Sequence, residues 1–125
     1  MNISELRIGN YVQVIHKGIG KVVAIFKDHI QFENTLGISQ AEDTNIEPIP
    51  LTPDILDKCG FERGEAPWGG YLFSISYEEK IRIVRDEMMG WTWPLYGTTP
   101  VIVRYLHQLQ NLIHALTGKE LEINL

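Results

Sequence analysis

The sequence predicts an α+β fold, with a curled antiparallel sheet or small β-barrel over residues 1–50 and a helix-and-hairpin region after it. Three observations predict it. Short runs of alternating apolar and polar residues, separated by glycine and asparagine turns, fill the first 50 residues. A well-punctuated short helix follows from Thr52 to Gly60. An apolar stripe at helical spacing then occupies the C-terminal part of the chain.

Residues 6–10 end in Gly9-Asn10, a turn pair that tolerates positive φ. Residues 11–16, Tyr-Val-Gln-Val-Ile-His, alternate as a half-buried strand does. Lys17-Gly18-Ile19-Gly20 predicts a glycine-rich turn, residues 21–26 a second strand, Lys27-Asp28 a turn and residues 29–33 a third strand. Residues 34–45 are polar around Gly37 and read as a hairpin turn or loop about Ile38. Residues 46–50 cannot be a central strand, because Pro48 and Pro50 remove ladder donors. Four or five short strands with tight turns suggest a small barrel of the Src-homology type, or a curled sheet.

Thr52 is placed to cap a helix, Pro53 sits at its first position, Asp54 favours the positive end of the dipole, and Gly60 stops it. Ile55, Leu56 and Cys59 fall on one face. Residues 62–70 read as a loop. Residues 71–77 and 80–85 form a hairpin across Glu78-Glu79. The last helix is expected from Thr99 and Pro100 to Gly118, with Ile102, Tyr105, Leu106, Leu109, Leu112, Ile113 and Leu116 as its apolar stripe. Residues 119–125 alternate and are a candidate last strand. The expected division is a barrel-like part, 1–50, and an α+β part, 51–125, sharing one core.

A chain of 125 residues is one domain by size, or two very small ones. Its 44% apolar and 22% charged residues exclude a disordered chain. The lone cysteine, Cys59, excludes a disulfide framework and a four-cysteine zinc site, and reads as a buried small hydrophobe. The net charge of −5 weighs against duplex binding. That charge is uneven: +2 over residues 1–32, −6 over 33–62 and −1 over 63–125. The first residues lack the pattern of a signal peptide, and no run is long enough to span a bilayer. A cytoplasmic protein without a membrane role is expected.

Candidate sites are few. Lys17-Gly18-Ile19-Gly20-Lys21 could aim backbone N–H groups at an anion, but it is not a Walker loop and joins two strands, so a plain hairpin turn is the simpler reading. Lys17, Lys21 and Lys27 could contact nucleic acid. His107 and His114 are seven residues apart, too far along a helix to share one ion. With Gln110 and Asn111 they form one polar stripe opposite the apolar one, the pattern of a solvated face or of a contact surface. The carboxylate pairs Glu42-Asp43, Glu78-Glu79 and Asp86-Glu87 read as solvated turns. Trp68, Trp91, Trp93 and Tyr96 are either a core plug or a partner-binding platform, Trp91 and Trp93 sharing one face of an extended segment. No catalytic or metal constellation is expected, and no cofactor.

The strings Glu5-Leu6-Arg7-Ile8-Gly9-Asn10-Tyr11-Val12, Pro48-Ile49-Pro50-Leu51-Thr52 and Tyr105-Leu106-His107-Gln108-Leu109-Gln110-Asn111-Leu112-Ile113-His114 resemble a family of small uncharacterised proteins from gut anaerobic bacteria, their prophages and mobile elements. The resemblance implies an intracellular accessory protein and carries no functional residue. The leading expectation is a non-enzymatic binding or adaptor module that engages a protein partner through residues 88–97 or the barrel loops. Alternatives are a nucleic-acid accessory protein using the basic N-terminal region, and a small-ligand domain or enzyme with a site beside the last helix. A homo-oligomer is compatible with all three.

Overall fold

The computed structural model describes the backbone of residues 1–65, 71–75, 82–86, 90–93 and 101–125, and the side chains of 1–61 and 102–125. Two units emerge. Unit 1 is Met1–Pro50 with Tyr105–Glu120, and unit 2 is Leu51–Arg104 with Leu121–Leu125. A boundary stands at Pro50, and the last helix belongs with the N-terminal sheet. The physical reason is a set of hydrogen bonds between that helix and residues 5–11, described below.

Alternation builds the sheet of unit 1. The strands β1 (Tyr11–Val14), β2 (Gly18–Ile25), β3 (His29–Asn34), β4 (Gly37–Glu42) and β5 (Ile46–Glu47) are antiparallel neighbours in the order β4-β3-β2-β1-β5. The order leaves β4 and β5 as edges, so the five strands form an α+β sheet that does not close. Val12, Val14, Val22, Ile30, Phe32, Ala41 and Ile46 face inward and pack with Ile3 and Leu6. Tyr11, Gln13, Lys21, Gln31, Glu33, Ile38 and Gln40 alternate with them on the other face. A bulge between Val22 and Ala24 shifts the β2–β3 register.

Two expectations change here. The glycine-rich stretch 17–20 is not all turn: the turn is centred on Ile15, His16 and Lys17, with His16 at φ 65°, and β2 begins at Gly18. Gly20 lies inside β2, where a Cβ would sit 2.5 Å from Cδ2 and 3.0 Å from Cγ of Phe32. Its role is to leave room for that ring. The polar stretch 34–45 holds a complete strand, β4, and a 3-10 turn, Asp43–Asn45, before β5. As the prolines require, β5 pairs with β1 over two residues only and stops before Pro48.

Unit 2 begins with α1 (Pro53–Lys58), capped as expected: Thr52 Oγ1 accepts the Ile55 N–H at 3.2 Å. A second antiparallel sheet follows, from β6 (Phe61–Glu65), β7 (Tyr71–Ile75), β8 (Arg82–Asp86), β9 (Gly90–Trp93) and β10 (Val101–Ile102), in the order β10-β9-β8-β7-β6. The loop expected from residue 62 is therefore a strand up to Glu65. Residues 119–125 form no strand, although the Asn124 N–H donates to the Lys58 carbonyl at 3.0 Å. Cys59 is buried, and burial pushes its thiol up to about 12, which keeps it protonated.

The last helix, α2 (Leu106–Thr117), starts six residues later than Pro100 suggests. Val101 and Ile102 are committed to pairing with Trp93 and Thr92 of β9. Tyr105 is the true cap residue, and Gln108 Oε1 reaches back to accept its N–H at 3.2 Å. Leu106, Leu109 and Ile113 are fully buried, and Gly118 ends the helix in the left-handed region.

Gly20→Ala should destabilise unit 1 by about 1–3 kcal/mol, the usual range for overpacking. Urea unfolding measures it, and pairing the change with Phe32→Leu should recover part of the loss.

Candidate functional site

The polar face of α2 is the best-defined polar site of unit 1. Gln110 is 1% exposed. Its Nε2 donates to the Gly9 carbonyl at 3.0 Å, and its Oε1 accepts the Tyr11 N–H at 2.8 Å. One side-chain amide thus takes the place of a strand partner for the residues entering β1. Asn111, half-buried, does the same one residue on. Its Oδ1 accepts from Asn10 Nδ2 at 2.9 Å and from Arg7 Nε at 3.2 Å, and its Nδ2 donates to the Glu5 carbonyl at 3.2 Å. Asn10 is fully buried, and its Oδ1 accepts the Arg7 N–H at 2.7 Å. The Arg7 guanidinium then clasps both carboxylate oxygens of Glu120, holding that carboxyl below its ordinary range. Half-buried His114 also favours the charged form of Glu120.

The reading of this stripe as a solvated face is therefore overturned. Gln110 and Asn111 face backbone groups that need partners, and a hydrophobicity pattern cannot distinguish such groups from water.

His107 has no such partner. It is 1% exposed, and neither ring nitrogen has a hydrogen bond among the described residues. Nε2 lies 3.7 Å from Glu5 Oε2, an ion-pair distance but too long for a hydrogen bond. The ring stacks on Tyr105 with centroids 5.9 Å apart. Burial holds the imidazole below its usual titration range, and the Glu5 carboxylate pulls part of the way back.

Lys17, Lys21 and Lys27 are all exposed, but the structure does not bring them together. Lys17 precedes β2, with its ammonium 5.8 Å from the Phe32 ring centroid. Lys27 follows the far end of the same strand, ten residues on and up to about 33 Å away at the usual strand rise. Lys21 lies between them, opposite Glu33 of β3.

A cleft of about 420 Å³ opens beside that far end and was not legible in the sequence. Ile3, Leu6, Ile25 and Phe26 line it, with Lys27 and Asp43 among its polar residues. Phe26 stacks on His29 at 4.5 Å between centroids, and His29 Nδ1 contacts Asp28 Oδ1 at 2.7 Å. Glu42 and Asp43 are exposed, as a solvated pair should be.

Trp68 and Tyr96 lie outside the described residues. Trp91 and Trp93 are alternate residues of β9, opposite Arg85 and Val101, and their side chains also lie outside the described residues. Among the described residues, no three His, Cys, Asp or Glu side chains gather as metal ligands, and no helix is long and apolar enough to cross a membrane. Comparison with protein-family models, curated proteins and solved structures finds no match to the chain.

Two outcomes follow from the α2 face. Gln110→Ala leaves two part-buried backbone groups unpaired and should cost about 1–3 kcal/mol, more than Asn111→Ala at its half-buried position, both read by urea unfolding. His107 has a folded-state pKa below its unfolded one, so the unfolded chain binds the extra proton. Its contribution to stability is complete above the unfolded value of about 6.5 and is lost as the pH falls through the lower folded value. The melting temperature measured from pH 8 to 5.5 should fall for the native chain and flatten in His107→Phe.

Proposed function

We propose that the protein is a non-enzymatic binding module that engages a protein partner through the sheet of unit 1. One observation carries this reading: Leu36 is 94% exposed and Ile38 63% exposed, two residues apart on the β3–β4 hairpin. Large aliphatic side chains placed together in water cost solvation free energy that burial against a partner returns. Ile19, 40% exposed, lies on the same outer face of β2. The Asn34 Nδ2 donates to the Lys17 carbonyl at 3.5 Å, so the β3–β4 tip and the β1–β2 turn are neighbours.

We read this sheet as curled in the manner of a small Src-homology-type barrel. Its order supports that, since β5 returns to β1 after a 3-10 turn. The module is proposed to work in the cytoplasm as an accessory protein of the kind the resembled family implies, including its phage and mobile-element members. The nucleic-acid reading has less support, because the three lysines are spread along β2 and Lys21 faces Glu33.

Affinity capture from cells that naturally make the chain, read by mass spectrometry, tests the proposal. The double change Leu36→Ser, Ile38→Thr should lose the partner that the native chain retains, with an unchanged melting temperature. A partner kept by that variant but lost on Trp91→Ala would move the site to β9.

A further inference from the structure

We propose that β4 is a strand-addition edge whose occupant is an extended basic segment of another protein. The inference rests on the binding-module reading and names both the site and the chemistry of the partner.

The first observation is the edge itself. β4 is six residues long, and β3 is its only ladder partner among the described residues. Natural edges are blunted by proline, lysine, a bulge or shortness. The sequence of β4, Gly-Ile-Ser-Gln-Ala-Glu, has no proline or lysine, and its register with β3 runs unbroken from Asn34↔Gly37 to His29↔Glu42.

The second observation is which groups are free. Thr35 and Leu36 make a two-residue loop, so Asn34 and Gly37 close the hairpin as a hydrogen-bonded pair. Alternation then directs the backbone of Ser39 and Ala41 toward β3, and that of Ile38, Gln40 and Glu42 away from it. The side chains of these same three residues are exposed on the outer face. An incoming strand would therefore meet Glu42, Gln40 and Ile38 with both its backbone and its side chains.

The third observation is charge. From Glu33 to Glu47 the chain carries four carboxylates and no lysine or arginine. Lys21 faces Glu33 from β2, so Glu42, with Asp43 beside it, sets the sign at the free edge. A second copy would bring the same acidic edge and a net charge of −5. A basic segment is complementary. For an antiparallel addition, its pattern is a lysine or arginine opposite Glu42 and, four residues later, a β-branched or aromatic residue opposite Ile38.

Two fluorescent peptides test this on the full chain. One has the core Lys-Thr-Thr-Thr-Ile, and the other replaces its lysine with glutamate. The native chain should bind the lysine peptide about five-fold more tightly, a preference that weakens with added salt. Binding should protect the amides of Ile38, Gln40 and Glu42 from hydrogen exchange while leaving Ser39 and Ala41 unchanged. Gln40→Pro removes one outward donor without touching the β3 ladder, so binding should be lost while the melting temperature holds. Glu42→Lys should reverse the preference between the peptides, which keeps the test decisive if the proline variant fails to fold.

Binding of neither peptide, unaltered binding in Gln40→Pro, or protection of other amides overturns the proposal. So does a concentration-dependent dimer that Gln40→Pro abolishes, since the occupant is then a second copy. A Gln40→Pro chain that still captures the cellular partner lost by Leu36→Ser, Ile38→Thr defeats the strand-addition site while the binding module stands. Loss of neither partner nor peptide in any of these variants defeats both.

Discussion

Two side-chain amides, Gln110 and Asn111, hold the entrance to the first sheet, and the rest of unit 1 depends on them. Residues 5–11 lead into β1, which lies between β2 and β5. The segment contains Asn10, fully buried, and backbone groups at Glu5, Gly9 and Tyr11 that are paired by α2. A buried polar group left unpaired costs more free energy than a typical hydrogen bond contributes. The two amides therefore do more than add stability: they make burial of Asn10, and partial burial of the backbone beside it, feasible. The Gly9 N–H and Asn10 carbonyl are taken by Val22, at 2.8 Å each, so the same short stretch is fixed from β2 and from α2 at once.

This arrangement explains the discontinuous unit. The partners of residues 5–11 come from about a hundred positions further along the chain. The intervening unit 2 enters and leaves where the backbone is already paired. Pro50 bridges Tyr105 in unit 1, and the Leu51 N–H donates to the Arg104 carbonyl at 3.0 Å in unit 2. A segment whose two ends are neighbours can be accommodated without unravelling its host, which is why insertions succeed at such points. The cost is kinetic, because contacts this distant in sequence require closure of a long loop.

How much of this was legible follows from what a pattern can record. β1 and β3 alternate cleanly because one face meets a core and the other does not. α1 was legible from Thr52, Pro53 and Gly60, whose roles are local. β4 was hidden because only Ser39 and Ala41 point inward, and small residues make a weak alternation. The start of α2 was misplaced because Thr99-Pro100 has the chemistry of a cap, while pairing of Val101 and Ile102 with β9 is a tertiary fact. The exposed Leu36 and Ile38 were visible as residues but read as loop. The cleft beside Phe26 needs Ile3, Leu6 and the end of β2 in one place, which no linear spacing encodes.

The misreading of the α2 stripe is the most instructive of these, because it also explains His107. Residues 107, 110 and 111 lie within one turn and share a helix face. The loop they meet is the same for all three: Asn111 holds the Glu5 carbonyl, and His107 approaches the Glu5 carboxylate. Gln110 and Asn111 do not titrate, so their grip is indifferent to pH. His107 does titrate, and its neutral form is the one the buried site favours. Protonation would set a cation in a buried site where, among the described residues, neither ring nitrogen has a hydrogen-bond partner and the half-exposed Glu5 carboxylate lies 3.7 Å away. Desolvation and attraction therefore act in opposite directions at one residue, and the lowered pKa shows that desolvation is the larger. A face built for docking thus contains one group whose charge opposes docking, and acid acts on the contact that organises the sheet.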